Sequence, residues 1–220
     1  MLSLETLKAL ASEVGIDDIG IAVARRLDDE AAFMDDWIDH GWHGNMSYLE
    51  RNRNLRYDPR QLVPNAQTVI VCLLTYAHSG HDYHRAVKSK LYELEVLLIE
   101  KGYCTALGTQ NKFCDSAPFL ERRWAVEAGL GWIGNNHQLI HPSLGSYVHI
   151  GELVITEPVE APAVKPLQSL CGTCKRCIEA CPGQALGLQN WDARKCKAYI
   201  THKCLICQQV CPFNEHIKSL

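Results

Sequence analysis

The chain has 220 residues and a formal net charge of −3, with 47% hydrophobic and 21% charged residues. That size sustains one large domain, or one large and one small, around a substantial core. The charge gives no overall basic field for nonspecific nucleic-acid binding, and the longest apolar run, TVIVCLLTYA at 68–77, is too short to cross a bilayer.

Leu4, Leu7, Leu10 and Val14 recur at helical spacing and predict a first helix ending at Gly15. DIGIAVA (18–24) reads as a short buried strand. DDEAAFMDDWIDHGW (28–42) opens with acids, as the positive end of a helix dipole favours, and stops at Gly41. Residues 44–67 mix helix with turns at Pro59 and Pro64. TVIVCLL (68–74), a continuous apolar run, is the clearest central strand. Val87, Leu91, Leu94 and Leu98 predict a helix over 82–102, capped by Gly102. A strand pair or turn is expected around 103–115, a helix from Pro118 to Ala128, and a strand at SYVHIGELVIT (146–156). Strands alternating with helices make residues 1–156 an α/β or α+β domain. EPVEAPAVKP (157–166) is the expected linker, and 167–220 the second, smaller domain.

Eleven cysteines in a chain whose start, MLSLETLKALASEVG, lacks the pattern of a secretion signal point to metal rather than disulfides, and to the cytoplasm. CGTCKRCIEACPGQAL (171–186) has the C-x2-C-x2-C-x3-C-P run of bacterial-type ferredoxins, and CLICQQVCP supplies three further thiols, with Cys196 eight residues upstream. The eight suffice for two [4Fe–4S] clusters. In two-cluster ferredoxins the cysteine before proline crosses to the other cluster. Cys171, Cys174, Cys177 and Cys211 are therefore assigned to one cluster, and Cys181, Cys196, Cys204 and Cys207 to the other. Zinc knuckles use paired C-x2-C, which a triple run overfills. Cys72 and Cys104 read as buried free thiols; Cys114, beside CDSAPF, stays open. On spacing alone, Asp115 or Ser116 reads as the cap of the following helix.

Several segments, in order, resemble the epoxyqueuosine reductases, cobalamin-dependent iron–sulfur enzymes related to the reductive dehalogenases. They are GNMSYLERNRNLRYDPRQLVPNAQTVIVCLL (44–74), HDYHRAVKSKL (81–91), CDSAPFLERRWAVEAGLGWIGNN (114–136), HPSLGSYVHIGELV (141–154) and the cysteine tail through CQQVCPFN. The resemblance implies a cobalamin-binding reductase domain followed by a ferredoxin-like double-cluster domain. It implies base-off cobalamin without a protein histidine ligand, reduced through two [4Fe–4S] clusters, and reduction of epoxyqueuosine to queuosine in tRNA. An external low-potential donor such as ferredoxin or flavodoxin is the further partner; no membrane is involved. The family's proton donor, the acid of D-[ST]-A-P, falls on Asp115. Arg56, Asp115, Trp132, Gly134, Asn136, Gly145 and Ser146 are the expected corrinoid contacts, with ordinary turn glycine the plainer reading of GLGWIGNN and LGSY. Arg53, Arg56 and Arg60 would meet corrin amides, the nucleotide tail or tRNA phosphates, against the alternative of a solvated basic face.

HSGHDYH (78–84) looks like a metal tract, but such histidines more often face solvent. DYHRAV begins like the D-x-H-x-x-G signature of cobalt-ligating histidines, and Val87 in the glycine position breaks that match. Three departures from the family stand out. The sequence stops soon after Cys211, where family members continue into helical repeats; the Cys196–Cys204 spacer is short; and Asn135 replaces the usual lysine of GWIGKN. They leave two alternatives: a corrinoid iron–sulfur reductase of a small molecule such as an organohalide, and an electron-transfer or reductive-activation module without corrinoid.

Overall fold

A computed structural model describes residues 2–80, 82–104, 108, 110–160, 166–201 and 203–217. Helix α1 spans Leu4–Val14; Ser3 caps its start by accepting from Thr6 N at 3.2 Å, and Gly15, with φ of 76°, ends it where the sequence predicts. Strand β1 is Asp18–Val23, α2 Asp28–Asp39 and α3 Arg53–Tyr57, with a 3-10 turn at Pro59–Gln61. Strand β2, Thr68–Thr75, leads through the short helix α4, Tyr76–Ser79, into α5, Tyr83–Glu100. Then follow β3 (Lys112–Phe113), α6 (Glu121–Glu127), β4 (Trp132–Ile133), β5 (Leu139–Ile140) and β6 (Val148–Ile155). Of the segment expected as a strand pair or turn, residues 105–107 and 109 lie outside the described residues.

The main sheet runs β1-β2-β6-β3, antiparallel throughout, so the architecture is mixed α and β with an antiparallel core. A continuous apolar run often marks a parallel strand. Here β2 has that run because helices cover both faces of its antiparallel sheet. Ile70, Cys72 and Leu74 pack with α1 and α5 on one face. Val69, Val71 and Leu73 pack with Trp124 and Ala125 of α6 on the other. The predicted stripe of α5, Val87, Leu91, Leu94 and Leu98, is fully used in this core. It sits over Gly151, where a Cβ would lie 2.3 Å from Val87 Cγ1.

The cysteine tail carries helices α7 (Arg176–Glu179), α8 (Lys197–Thr201) and α9 (Ile206–Gln209), with 3-10 turns at Ala193–Lys195 and Pro212–Ile217. Three side-chain clasps stand out among the contacts that join it to the preceding residues. Trp37 stacks on Trp191 with ring centres 5.5 Å apart, and its indole N–H donates to the Trp191 carbonyl at 2.5 Å. Trp132 meets Phe213 edge-on at 4.9 Å. The third clasp is a buried polar lock. Asn214 Oδ1 accepts from Ser146 N at 2.8 Å, Asn214 Nδ2 donates to Ser146 Oγ at 2.9 Å, and Gln208 Nε2 donates to the Ser146 carbonyl at 2.7 Å. Of the expected linker, residues 161–165 lie outside the described residues. Among the described residues no helix is long and apolar enough to cross a membrane.

Candidate active site

The eight tail cysteines line two separate cavities in sets of four. Cys171, Cys174, Cys177 and Cys211 face a cavity of about 240 Å³, closed by Ile140 and Phe213. Cys181, Cys196, Cys204 and Cys207 face a second cleft of about 560 Å³. Burial and then neighbouring thiols push Cys177 and Cys207 up to about 11. Thiols that oppose one another's ionisation in this way form a donor set for a metal centre that takes four thiolates. The remaining three cysteines are buried. Burial raises Cys104 to about 12 and lifts Cys72 and Cys114 as well, as for inert core thiols.

Asp115 borders the same larger cleft. A ladder of rings leads to it along the lining: Tyr76 stacks on His149 at 4.4 Å, His149 on Tyr83 at 4.0 Å, and Tyr83 Oη donates to Asp115 Oδ2 at 2.9 Å. Asp115 has φ of 48°, a left-handed conformation uncommon for a non-glycine residue. That turn aims its backbone N–H at Glu121 Oε1, to which it donates. Asp115, Glu121, Arg122, His137 and Trp191 also border a third cavity of about 420 Å³, which reaches Arg56 and Tyr48. The acid therefore stands on the wall common to both hollows.

Burial, the Asp115 charge and a hydrogen bond between the two side chains raise Glu121 to about 8. Glu152 on β6 is wholly buried, neither of its oxygens has a hydrogen-bond partner among the described residues, and burial followed by the Glu121 and Asp115 charges raises its pKa well above the usual range.

No family model matches the chain. Individual proteins do. The chain is 35% identical to an epoxyqueuosine reductase of Leadbetterella byssophila over 94% of its own length and 78% of that protein. It is 35% identical to that of Cyclobacterium marinum, covering 97% of this chain and 80% of the relative.

The chain belongs to the epoxyqueuosine reductase family.

Among solved structures, the epoxyqueuosine reductase of Streptococcus thermophilus superposes with a TM-score of 0.84 at 26% identity, and the chain spans 97% of itself but 66% of that structure. An epoxyqueuosine reductase solved with an epoxyqueuosine-modified tRNA-Tyr stem loop gives 0.85 at 25% identity, with 96% of this chain and 65% of that one covered. A catabolic reductive dehalogenase shares the fold at a TM-score of 0.62 and 16% identity, over 96% of this chain and 32% of that one.

The residues that resemblance to epoxyqueuosine reductases singles out fall into two groups. Asp115 and Arg56 border the third cavity, and Asn136 borders both the cysteine cavity and the larger cleft. Arg56 Nε and Asn136 Nδ2 are buried donors without a partner among the described residues, which suits a ligand rimmed with amide oxygens. Trp132, Gly134, Gly145 and Ser146 border none of the three cavities and have structural employment. Trp132 is in the clasp with Phe213. A Cβ at Gly134 would lie 2.3 Å from Ile140 Cδ1, so that glycine serves the β4–β5 hairpin. Gly145, at φ of 62°, holds the turn that pairs with His141, and Ser146 is spent in the polar lock.

The capping role considered for Asp115 or Ser116 does not hold: α6 begins at Glu121, three residues later than expected, behind Leu120 with no side-chain cap. Arg53 is paired with Asp35 and Asp39, and Arg60 with Asp58, which accounts for both. His78 pairs with Asp17 and His84 Nδ1 lies 3.2 Å from the Cys114 carbonyl, whereas His81 lies outside the described residues. The sequence reading passed over Glu121, Tyr83 and His149. Glu121, an acid opening a helix, carries no signal beyond the ordinary dipole preference.

Proposed function

We propose that this protein reduces the epoxide of epoxyqueuosine in tRNA to the alkene of queuosine. The observation that carries this reading is that four cysteines and Asp115 line one cleft. Both C–O bonds of the epoxide break and a C=C bond forms. Two electrons enter from an external low-potential donor such as ferredoxin or flavodoxin, and the oxygen leaves as water with two protons.

Two [4Fe–4S] clusters fit the two sets of four cysteines, with Cys171, Cys174, Cys177 and Cys211 holding one and Cys181, Cys196, Cys204 and Cys207 the other. A base-off cobalamin would take the two adjoining hollows, of which Arg56 borders one, Asn136 the other and Asp115 both, and the unpartnered donors of Arg56 and Asn136 would meet its amides. When bound, the corrinoid supplies the strongly reducing centre that opens the epoxide. The chain's own part is to wall off water, seat the modified base beside Asp115 and deliver protons. An epoxide oxygen gains negative charge as its ring opens, and the Asp115 carboxyl, steadied by Tyr83, is the group placed to protonate it.

The test is turnover of an epoxyqueuosine-bearing tRNA stem loop by anaerobically prepared protein with a low-potential reductant. Wild type should yield queuosine, and Asp115→Asn should lose about 10²–10⁴ in rate while keeping its iron, sulfide and cobalt. Undiminished turnover by Asp115→Asn would remove the acid role.

A further inference from the structure

We propose that Asp115 and Glu121 form one acid pair that shares a proton, and that Glu121 holds the proton which the pair passes through Asp115 to the opening oxygen, the second proton of the departing water being drawn from solvent. This rests on the reaction proposed above, in which Asp115 protonates the opening oxygen. The pair is built rather than incidental. The left-handed turn at Asp115 directs its N–H onto Glu121 Oε1, and the two carboxyls lie within hydrogen-bonding reach of each other. Both border the larger cleft and the third cavity, so a substrate in either would face both acids.

The surroundings favour a proton on the pair. Glu152 of β6 is a buried neighbour whose own ionisation the Glu121 and Asp115 charges oppose. Cys114 and Tyr83 feel the Glu121 charge from the preceding loop and from α5. His149 of β6, His84 of α5 and Tyr76 of α4 also face Asp115. Arg122, next on α6, is the opposing cation, and its Nη1 is engaged by the His137 carbonyl at 2.5 Å. Burial and the Asp115 charge outweigh it and lift Glu121 to about 8. Two carboxyls this close titrate as a pair whose apparent values are pushed apart. At neutral pH the pair therefore retains a proton, which it loses as pH rises through the upper value.

Glu121→Gln keeps an oxygen for the Asp115 N–H but has no proton to give. Infrared spectroscopy of the anaerobically prepared full chain, in water and deuterium oxide, reads the pair without substrate. A protonated-carboxyl band should fade with a midpoint near pH 8. The band should persist in Glu152→Gln and be absent from Glu121→Gln. In single turnover of the modified stem loop, Glu121→Gln should fall about tenfold or more at neutral pH and lose the decline that wild type shows on the alkaline side. Glu121→Asp should recover part of the rate, a rescue that a merely structural role would not show. A band that fades near pH 8 yet is untouched by Glu121→Gln, or a Glu121→Gln rate that follows the wild-type pH profile, would overturn the proposal. Wild-type turnover without the band would sink the pair and leave the reaction standing. The band without wild-type turnover would sink the reaction, and the proton-delivery role with it, and leave the pair.

Discussion

At the scale of single residues, the fold spends most on acids it keeps out of water. Glu152 sits between Val71 and Phe113 in the sheet, where an apolar residue would pack without cost. Its pKa is raised far above the 4.5 of an ordinary glutamate by burial and by neighbouring acids. The folded state therefore binds this proton more tightly than the unfolded chain. The associated stability is complete below pH 4.5 and is lost as pH rises towards the folded value. Glu152→Gln keeps the shape and removes the charge, so its gain in melting temperature over wild type should grow between about pH 5 and about pH 8. A difference that is flat or negative across that range would contradict the burial cost assigned to this carboxyl. Neither Glu152 nor Glu121 was legible in the sequence. GELV reads as an alternating strand, and the first turn of a helix welcomes any acid; their interest arises only from being brought together. Asp115 was legible through D-[ST]-A-P, though not its left-handed backbone.

At the scale of elements, long periodic segments declared themselves. The helix at α5 and the strands at β1, β2 and β6 lie where their apolar patterns predict, because each buries a full stripe or face. The two-residue strands β4 and β5 were missed, since a pair of residues carries no periodicity. The start of α6 was placed too early because Pro118 suits a first helical turn; the chain bends through 114–118 and becomes helical only at Glu121. The Ser146–Gln208–Asn214 lock shows what a local pattern hides. SYVHIG reads as a strand opening, yet its first residue is the socket for the tail. Asn214→Ala would leave Ser146 N–H and Oγ buried with fewer partners, at a cost of about 1–3 kcal/mol for each unmet group. Chemical denaturation should therefore show a loss of about 3 kcal/mol, with the tail released first in hydrogen exchange. A loss below about 0.5 kcal/mol would mean that the lock is not what holds the tail.

At the scale of the whole molecule, the eight cysteines border two cavities in the sets of four that spacing suggests, since close ligand spacing leaves a chain few ways to surround a cluster. What spacing does not report is how the tail meets the rest. Trp37 and Trp191 are 154 residues apart, and a contact at that separation leaves no local trace. The clasps matter for function, since they hold the tail whose Cys181, Cys196, Cys204 and Cys207 border the same cleft as Asp115. Cys174 belongs to the other set, whose cavity borders Asn136 rather than Asp115. On this account, Cys174→Ser should disturb the cluster remote from Asp115 and slow reduction of bound cobalt, as followed by electron paramagnetic resonance; reduction at the wild-type rate would break the proposed order of the wire. The central claim, a corrinoid seated between the Asp115 wall and the cysteines, has a direct measurement. It is iron, sulfide and cobalt analysis of protein purified without oxygen in the presence of cobalamin. The account predicts about eight iron and eight sulfide per chain with one cobalt retained. Protein that carries its full iron and sulfide yet retains no cobalt would contradict it.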